Sequence, residues 1–418
     1  MASQALADDS YTRLRQAKLR ALVRDQWGPH TQGAGRVEGR LRGGATLWQP
    51  GIGRGWALVD DGSVAGFGAA MAWALRHGIG QLDVLVERGK PAGRRRAGGG
   101  GADRGGAMGG RGGGDGSRDG AWAAGVMARR ATQFRLAPCV WLVEGHTVGR
   151  ARPLEFPTPA PVPEEIRRVI DMLSAHGVDP VVEHGAVIGE VLGLEVARVV
   201  GRGEVGASGD GVGGGGVGGG GVGGGGVGGG GVGGGDVGGG DVIGVDDGLH
   251  LEVGVGRHDR EARIELRPGE DSDHALDDVV GLVRRWRAPG ARRHPANTLA
   301  PERWLRSLVL CHPESVGARR LERRPPIDPV DDLRLPAPAA AAGEGSDGEA
   351  IVVVFSIGVD LDLVPTAADH RLLDGRQARL RLVVPEGDDY PVTRQLAEDL
   401  VEPAQVVTVP RNWAHHLA

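Results

Sequence analysis

Lysine is nearly missing from this chain: of 49 basic residues only Lys18 and Lys90 are lysine, and the rest are arginine. Aromatic residues make up 4%, with four Phe and two Tyr. Residues with AT-rich codons are scarce and those with GC-rich codons abundant, so the skew reads first as a high-GC coding sequence. No run of 18 apolar residues occurs, which argues against a transmembrane helix and a membrane partner. The stretch from Met1 to Arg24 is charged and lacks an apolar core, so it does not read as a secretory signal. The two cysteines, Cys139 and Cys311, form no CxxC pair, which argues against a zinc site. Each is flanked by apolar residues, so they read as buried free thiols in a cytoplasmic protein. Net charge is only −5, which argues against a general nucleic-acid binder.

Glycine, in contrast, is abundant at 77 of 418 residues. There is no Gly-X-Y period, so the excess is not collagen-like. With 40% apolar residues the whole chain is not expected to be disordered. Much of the surplus lies in two low-complexity inserts, 88–120 and 202–248. In the second, Val212, Val217, Val222, Val227, Val232, Val237 and Val242 recur every five residues, with Asp236 and Asp241 replacing glycine. A calcium-binding β-roll needs a nine-residue unit with regular aspartates. The repeat therefore reads as a disordered spacer, which a loop accommodates because closure entropy grows only logarithmically with length.

The remaining residues predict an α/β protein with β-α-β-α-β units at both ends and a middle α+β unit. Residues 1–55 hold one helix, near 10–24, and an irregular segment. The first α/β unit covers 56–149, with strands at Trp56–Val59, Leu82–Val86 and Cys139–Val143 and helices at Gly66–His77 and Trp122–Phe134. The Asp60-Asp61-Gly62 turn ends its first strand. A Pro-rich linker, 150–163, leads to the middle unit, 164–324. There an amphipathic helix precedes strands at Val181–Glu183, Ala186–Leu192, Leu194–Val200 and Leu249–Val255. Helices capped near Asp273 and spanning Ala300–Leu310 follow. The strands flanking the repeat read as one hairpin with a stretched turn. A second linker, 325–349, precedes the last α/β unit, 350–410, and a tail, 411–418. The two end units share one pattern without residue-level identity.

Two groups of residues stand out chemically. Glu190, Glu195 and Glu252 lie on strands of the middle unit, with His258 just beyond. Glu252 shares its side of the strand with Gly254 and Gly256, which leaves room for a ligand or a backbone. Converging, they would hold a divalent cation; alternatively they are strand carboxylates paired to arginine. The second group is Ser356, Asp360 and Asp362, just past the first strand of the last unit, where open α/β sheets place ligands. These three read as ligand-binding candidates. Asp369-His370 falls on a helix and reads as surface. No GxSxG, HExxH or phosphate-binding glycine motif is present.

The order helix, strands, helix over roughly 164–287, with acids on the central strands, resembles the PD-(D/E)XK nuclease-like core. That resemblance implies Glu190 or Glu195 as the first acid and Glu252 as the second, a magnesium or manganese cofactor, and a nucleic-acid substrate. The motif's lysine would fall on Gly254, and this unit contains no lysine; arginine cannot serve as a neutral proton relay. The stretches GLEVARVV, LEVGVGRHDREA and DLDLVPTAADHR resemble conserved actinobacterial proteins of unknown function, which implies no activity. The sequence is thus read as a binding protein without catalytic function, needing no cofactor and with partners unknown. The alternative is a metal-dependent nuclease-like enzyme.

Overall fold

The computed structural model describes residues 2–28, 35–41, 43–59, 64–88, 120–158, 162, 164–201, 249–266, 272–328 and 333–417. The Asp60-Asp61-Gly62 turn, residues 89–119 of the first glycine-rich insert and the whole of the second lie outside these residues. The chain is an α/β protein that divides into two units, one formed by Met1–Ala160 with Trp286–Ala418 and the other by Pro161–Arg285. The middle unit therefore ends at Arg285, short of the boundary at 324 that the sequence suggested.

The larger unit is built from two similar halves. In the first, helix α1 (Ala2–Trp27) precedes β1 (Val37–Leu41), β2 (Gly44–Gln49) and β3 (Arg54–Val59). Helix α2 (Phe67–Arg76), β4 (Gln81–Glu87), α3 (Gly120–Ala131), β5 (Cys139–Glu144) and β6 (Thr147–Arg150) follow. The strands lie side by side in chain order. Strand β2 is antiparallel to both neighbours, β3, β4 and β5 are mutually parallel, and β6 returns antiparallel. The segment 27–55, expected to be irregular, thus supplies two strands.

The smaller unit contains α4 (Glu164–Ala175) and an antiparallel sheet of β7 (Asp179–Glu183), β8 (Ala186–Val191), β9 (Leu194–Gly201) and β10 (Leu249–Val253). Strands β9 and β10 are neighbours, as expected of a hairpin. Helices α5 (Gly256–Leu266) and α6 (Ser272–Trp286) follow. Gly189 faces Leu173 and Val178, which puts α4 over that side of the sheet.

The second half of the larger unit begins with α7 (Pro301–Cys311), then β11 (Ala318–Arg324), β12 (Ala339–Gly345) and β13 (Ala350–Phe355). Helix α8 (Leu363–Asp374), β14 (Arg379–Pro385), α9 (Pro391–Glu398), β15 (Gln405–Val409) and α10 (Trp413–His416) complete it. Strand β12 occupies residues read as linker. The sheet order is again that of the chain, with the second strand antiparallel and the last three parallel. Helix α1 covers the outer face of the first sheet through Leu19, Leu22 and Val23, against Leu47, Trp56 and Leu85.

The inner helices of the two halves share one core. It joins Phe67, Met71, Met127 and Phe134 to Val352, Leu363, Leu382 and Leu396. Helix α2 packs on α9 and α3 on α8, an exchange that maps each half onto the other. Past the ends of α3 and α9, Phe134 and Leu400 form an antiparallel bridge, with Arg135 N–H donating to Asp399 O and Val401 N–H to Gln133 O. This is the arrangement expected around a local two-fold axis.

Candidate functional site

In the smaller unit, Glu190 and Glu195 face each other across β8 and β9, beside a register shift that inserts one residue into β9. The shift brings Glu195 and Arg198 to one side of the strand. Arg198 donates to both Glu195 oxygens, at 3.0 and 3.1 Å, and Arg260 of α5 donates to Oε1 at 2.6 Å. Arg260 Nε lies 3.4 Å from Glu252 Oε2, and Glu252 sits opposite Arg198 on the neighbouring strand. Burial disfavours the Arg198 charge, but the hydrogen bond and charge of Glu195 outweigh it and hold its pKa above the ordinary value. Glu190, Glu195 and Arg260 are buried, whereas His258 is exposed in the first turn of α5. The structure thus gathers the three glutamates on one face with two arginines and leaves the histidine at the surface. Among the described residues, no group of three or more His, Cys, Asp or Glu side chains is placed to hold a metal ion.

The second candidate group lies where the two halves of the larger unit meet. Asp362 accepts hydrogen bonds from Gly66 N–H (3.0 Å) and Gly68 N–H (2.9 Å), so it caps α2 of the opposite half. Asp360 Oδ1 accepts from Asp362 N–H at 2.9 Å. Burial raises the Asp362 pKa despite the two backbone donors. Burial and the Asp362 charge push Asp360 up to about 6. Burial pushes Glu302 of α7 up to about 7, with Asp360 adding to the rise. The Ser356 hydroxyl is buried and has no hydrogen-bond partner among the described residues. Of the aspartates singled out for ligand binding, Asp362 is thus engaged in joining the halves, and Asp360 holds the Asp362 backbone.

Sequence reasoning missed the ionic cluster next to them. Asp369 and His370 were expected at the surface, yet both are fully buried. The correction follows from α8 lying between its own sheet and α3, so that little of its circumference meets solvent. Asp369 accepts from Arg129 Nε and Nη2, both at 2.9 Å, and from Arg130 Nε at 2.8 Å. Arg130 also donates to Asp328 at 2.5 Å. Burial opposes its charge, but Asp369 and Asp328 outweigh burial and raise its pKa. The sequence signal was the Arg129-Arg130 pair on an otherwise Ala-rich helix. Both cysteines are free thiols, but against the expected burial Cys139 is half-buried and Cys311 exposed.

Two clefts of the larger unit lie beside α3. One of about 570 Å³ is bordered by Ala128, Ala131 and Thr132 of that helix and by Cys139 and Val140 of β5. A smaller one of about 280 Å³ borders Ala124, Gly125, Leu142 and Thr147. Arg150, Ala151 and Arg152 line both. The extended segment beyond them is held to α3 by Leu154 N–H donating to Gly125 O and by Arg129 donating to Leu154 O. No described helix is long and apolar enough to cross a membrane. No protein-family model, curated protein or solved structure matches the chain.

Proposed function

We propose that this chain is a cytoplasmic binding protein without catalytic function, and that the clefts beside α3 seat an anionic ligand. One observation carries the reading. Arg150 and Arg152 line the clefts, are exposed, and among the described residues have no hydrogen bond or ion pair from their side chains. Most other arginines of this half, such as Arg54, Arg88, Arg129 and Arg130, have carboxylate partners. A guanidinium presents a planar fork that matches carboxylate and phosphate oxygens. The larger cleft has the volume of a small-molecule site, with alanines lining its apolar wall. The free thiols accord with a reducing compartment.

The ion pairs around Glu195 support the non-catalytic part of the reading, since two arginines already occupy the oxygens that a metal would need. Thermal denaturation with inorganic phosphate, citrate or a nucleoside monophosphate tests the ligand. At least one anion is expected to raise the melting temperature of the wild-type chain, and Arg150→Gln with Arg152→Gln to abolish the rise. An unchanged response in that double variant overturns the site. Magnesium- or manganese-dependent cleavage of DNA or RNA that Glu252→Ala removes would overturn the non-catalytic reading.

A further inference from the structure

The group that the proposed binding site leaves unused is His370. It lies in the middle of α8, fully buried, and among the described residues neither ring nitrogen has a hydrogen-bond partner. Buried polar atoms are rarely left unpaired, and those that are call for an explanation. The charged groups acting on it come from four elements: Asp369 from its own helix, Arg130 from α3, Arg306 from α7 and Arg324 from the end of β11. The three arginines are cations. The one carboxylate, Asp369, already receives three guanidinium hydrogen bonds. Arg324 is held by Asp374 at 2.7 Å. The ring is therefore neutral, and Asp369, the carboxylate acting on it, has both oxygens engaged by guanidinium groups.

We propose that His370 makes the joint between the two halves of the larger unit acid-labile: protonation places a fourth cation among Arg130 of α3 and Arg306 and Arg324 of its own half, and loosens α8 where it meets α3. The location gives this consequence. The halves meet through α3 against α8 and α2 against α9, and Asp369, next to His370 in the chain, is tied across that joint by Arg129 and Arg130, with Asp328 held by Arg130. A charge on the residue next to Asp369 is added beside this cluster.

Burial lowers the ring's affinity for a proton; the Asp369 charge opposes this, but burial and the three arginines outweigh it, so the pKa falls from the usual 6.5 to about 3. The unfolded chain thus binds this proton more readily than the folded one. The stability that depends on a neutral ring is intact above about 6.5. It is lost as pH falls from there towards 3, by up to about tenfold in the folded-to-unfolded ratio per pH unit. Asp360 and Glu302 act in the opposite sense, since their raised pKa values make folding favour their protonated forms. Only the difference between wild type and a His370 variant isolates the effect.

The experiment measures urea unfolding midpoints of the full chain between pH 7.5 and 4, for wild type, His370→Leu and His370→Gln. The wild-type midpoint is expected to fall relative to either variant below pH 6.5, with the gap widening by up to the equivalent of tenfold per unit. Hydrogen exchange, corrected for intrinsic rates, should show α3 and α8 losing protection before β4 and β14. Parallel pH profiles for wild type and a folded variant overturn the proposal. If neither variant folds, wild-type exchange decides it: protection in α3 and α8 that stays constant down to pH 4 overturns the proposal, and selective loss there supports it.

Discussion

Asp360 illustrates how much a single residue's role depends on contacts that the sequence does not display. In the sequence it is an acid just past a strand, in the position where α/β proteins hold ligands. In the fold its carboxylate turns back to Asp362 N–H, and burial and the neighbouring charge raise its pKa to about 6. An aspartate in the unfolded chain titrates near 3.9. Between these values the folded chain binds the proton more tightly, so the stabilisation is full at low pH and is lost as pH rises through 6. Asparagine keeps an oxygen for Asp362 N–H and removes the charge. Asp360→Asn is therefore expected to raise stability at pH 8 by about 1–2 kcal/mol, the full shift being discounted for a partly exposed site. The gain should disappear below about pH 4.5 in denaturant unfolding. An equal gain at both pH values would show that charge is not the cause. Glu195 makes the complementary point. Its exposure to chemistry looked plausible from the strand pattern, and Arg198 stood three residues away in plain view. Arg260, 65 positions on, becomes a partner only because β9, β10 and α5 fold together.

At the scale of elements, what was legible followed periodicity. The runs that became β3, β4, β5, β13 and β14 are apolar and bounded by turn residues, and helices α2, α4 and α6 carry regular apolar stripes. Strand β12 was not legible, because Ala339–Ala342 have no β propensity and follow prolines. They become strand because α7 and α8 cover its two faces, where a methyl group lets both helices approach. Strands β1 and β2 escaped because glycines interrupt them, and β2 is fixed by pairing with β3. The junction of α2 with α8 is the tightest meeting of elements. A Cβ on Gly68 would overlap the Leu361 carbonyl oxygen, so the helix start and the opposing loop are in backbone contact. Alanine normally favours a helix over glycine by about 1 kcal/mol. Here the order should reverse. Gly68→Ala is expected to destabilise the larger unit by about 2–3 kcal/mol, because the helix must retreat and lose the Asp362 cap. Chemical denaturation measures this; an unchanged or raised midpoint would mean that α2 does not depend on that approach.

For the whole molecule, the sequence suggested two end units of like pattern, set off by linkers. The repeated pattern is present, and it extends further than the sequence suggested. Each half begins with a helix and two antiparallel strands before its β-α-β-α-β, and seven residues separate strand from helix in both, from Val59 to Phe67 and from Phe355 to Leu363. Independence is a different matter. Phe67, Met71, Met127 and Phe134 have their apolar neighbours in Leu363, Leu382 and Leu396 of the other half. The apolar residues that join the halves are far apart in sequence and look like any core residues, so no local pattern marks them as an interface. Each half alone would expose an apolar helix layer, unsatisfied helix ends at α2, and the arginines of α3 without Asp369. A sheet covered on one face only, with such a layer open to water, is prone to association. A fragment ending at Ala160 is therefore expected to lack a cooperative thermal transition and to aggregate, and co-expression with 286–418 to restore a soluble complex that melts in one step. Calorimetry and size-exclusion chromatography read both outcomes. If the fragment 1–160 remains monomeric and unfolds cooperatively by itself, the shared core is a docking contact between two finished domains, and the acid-labile joint at His370 would separate them without unfolding either.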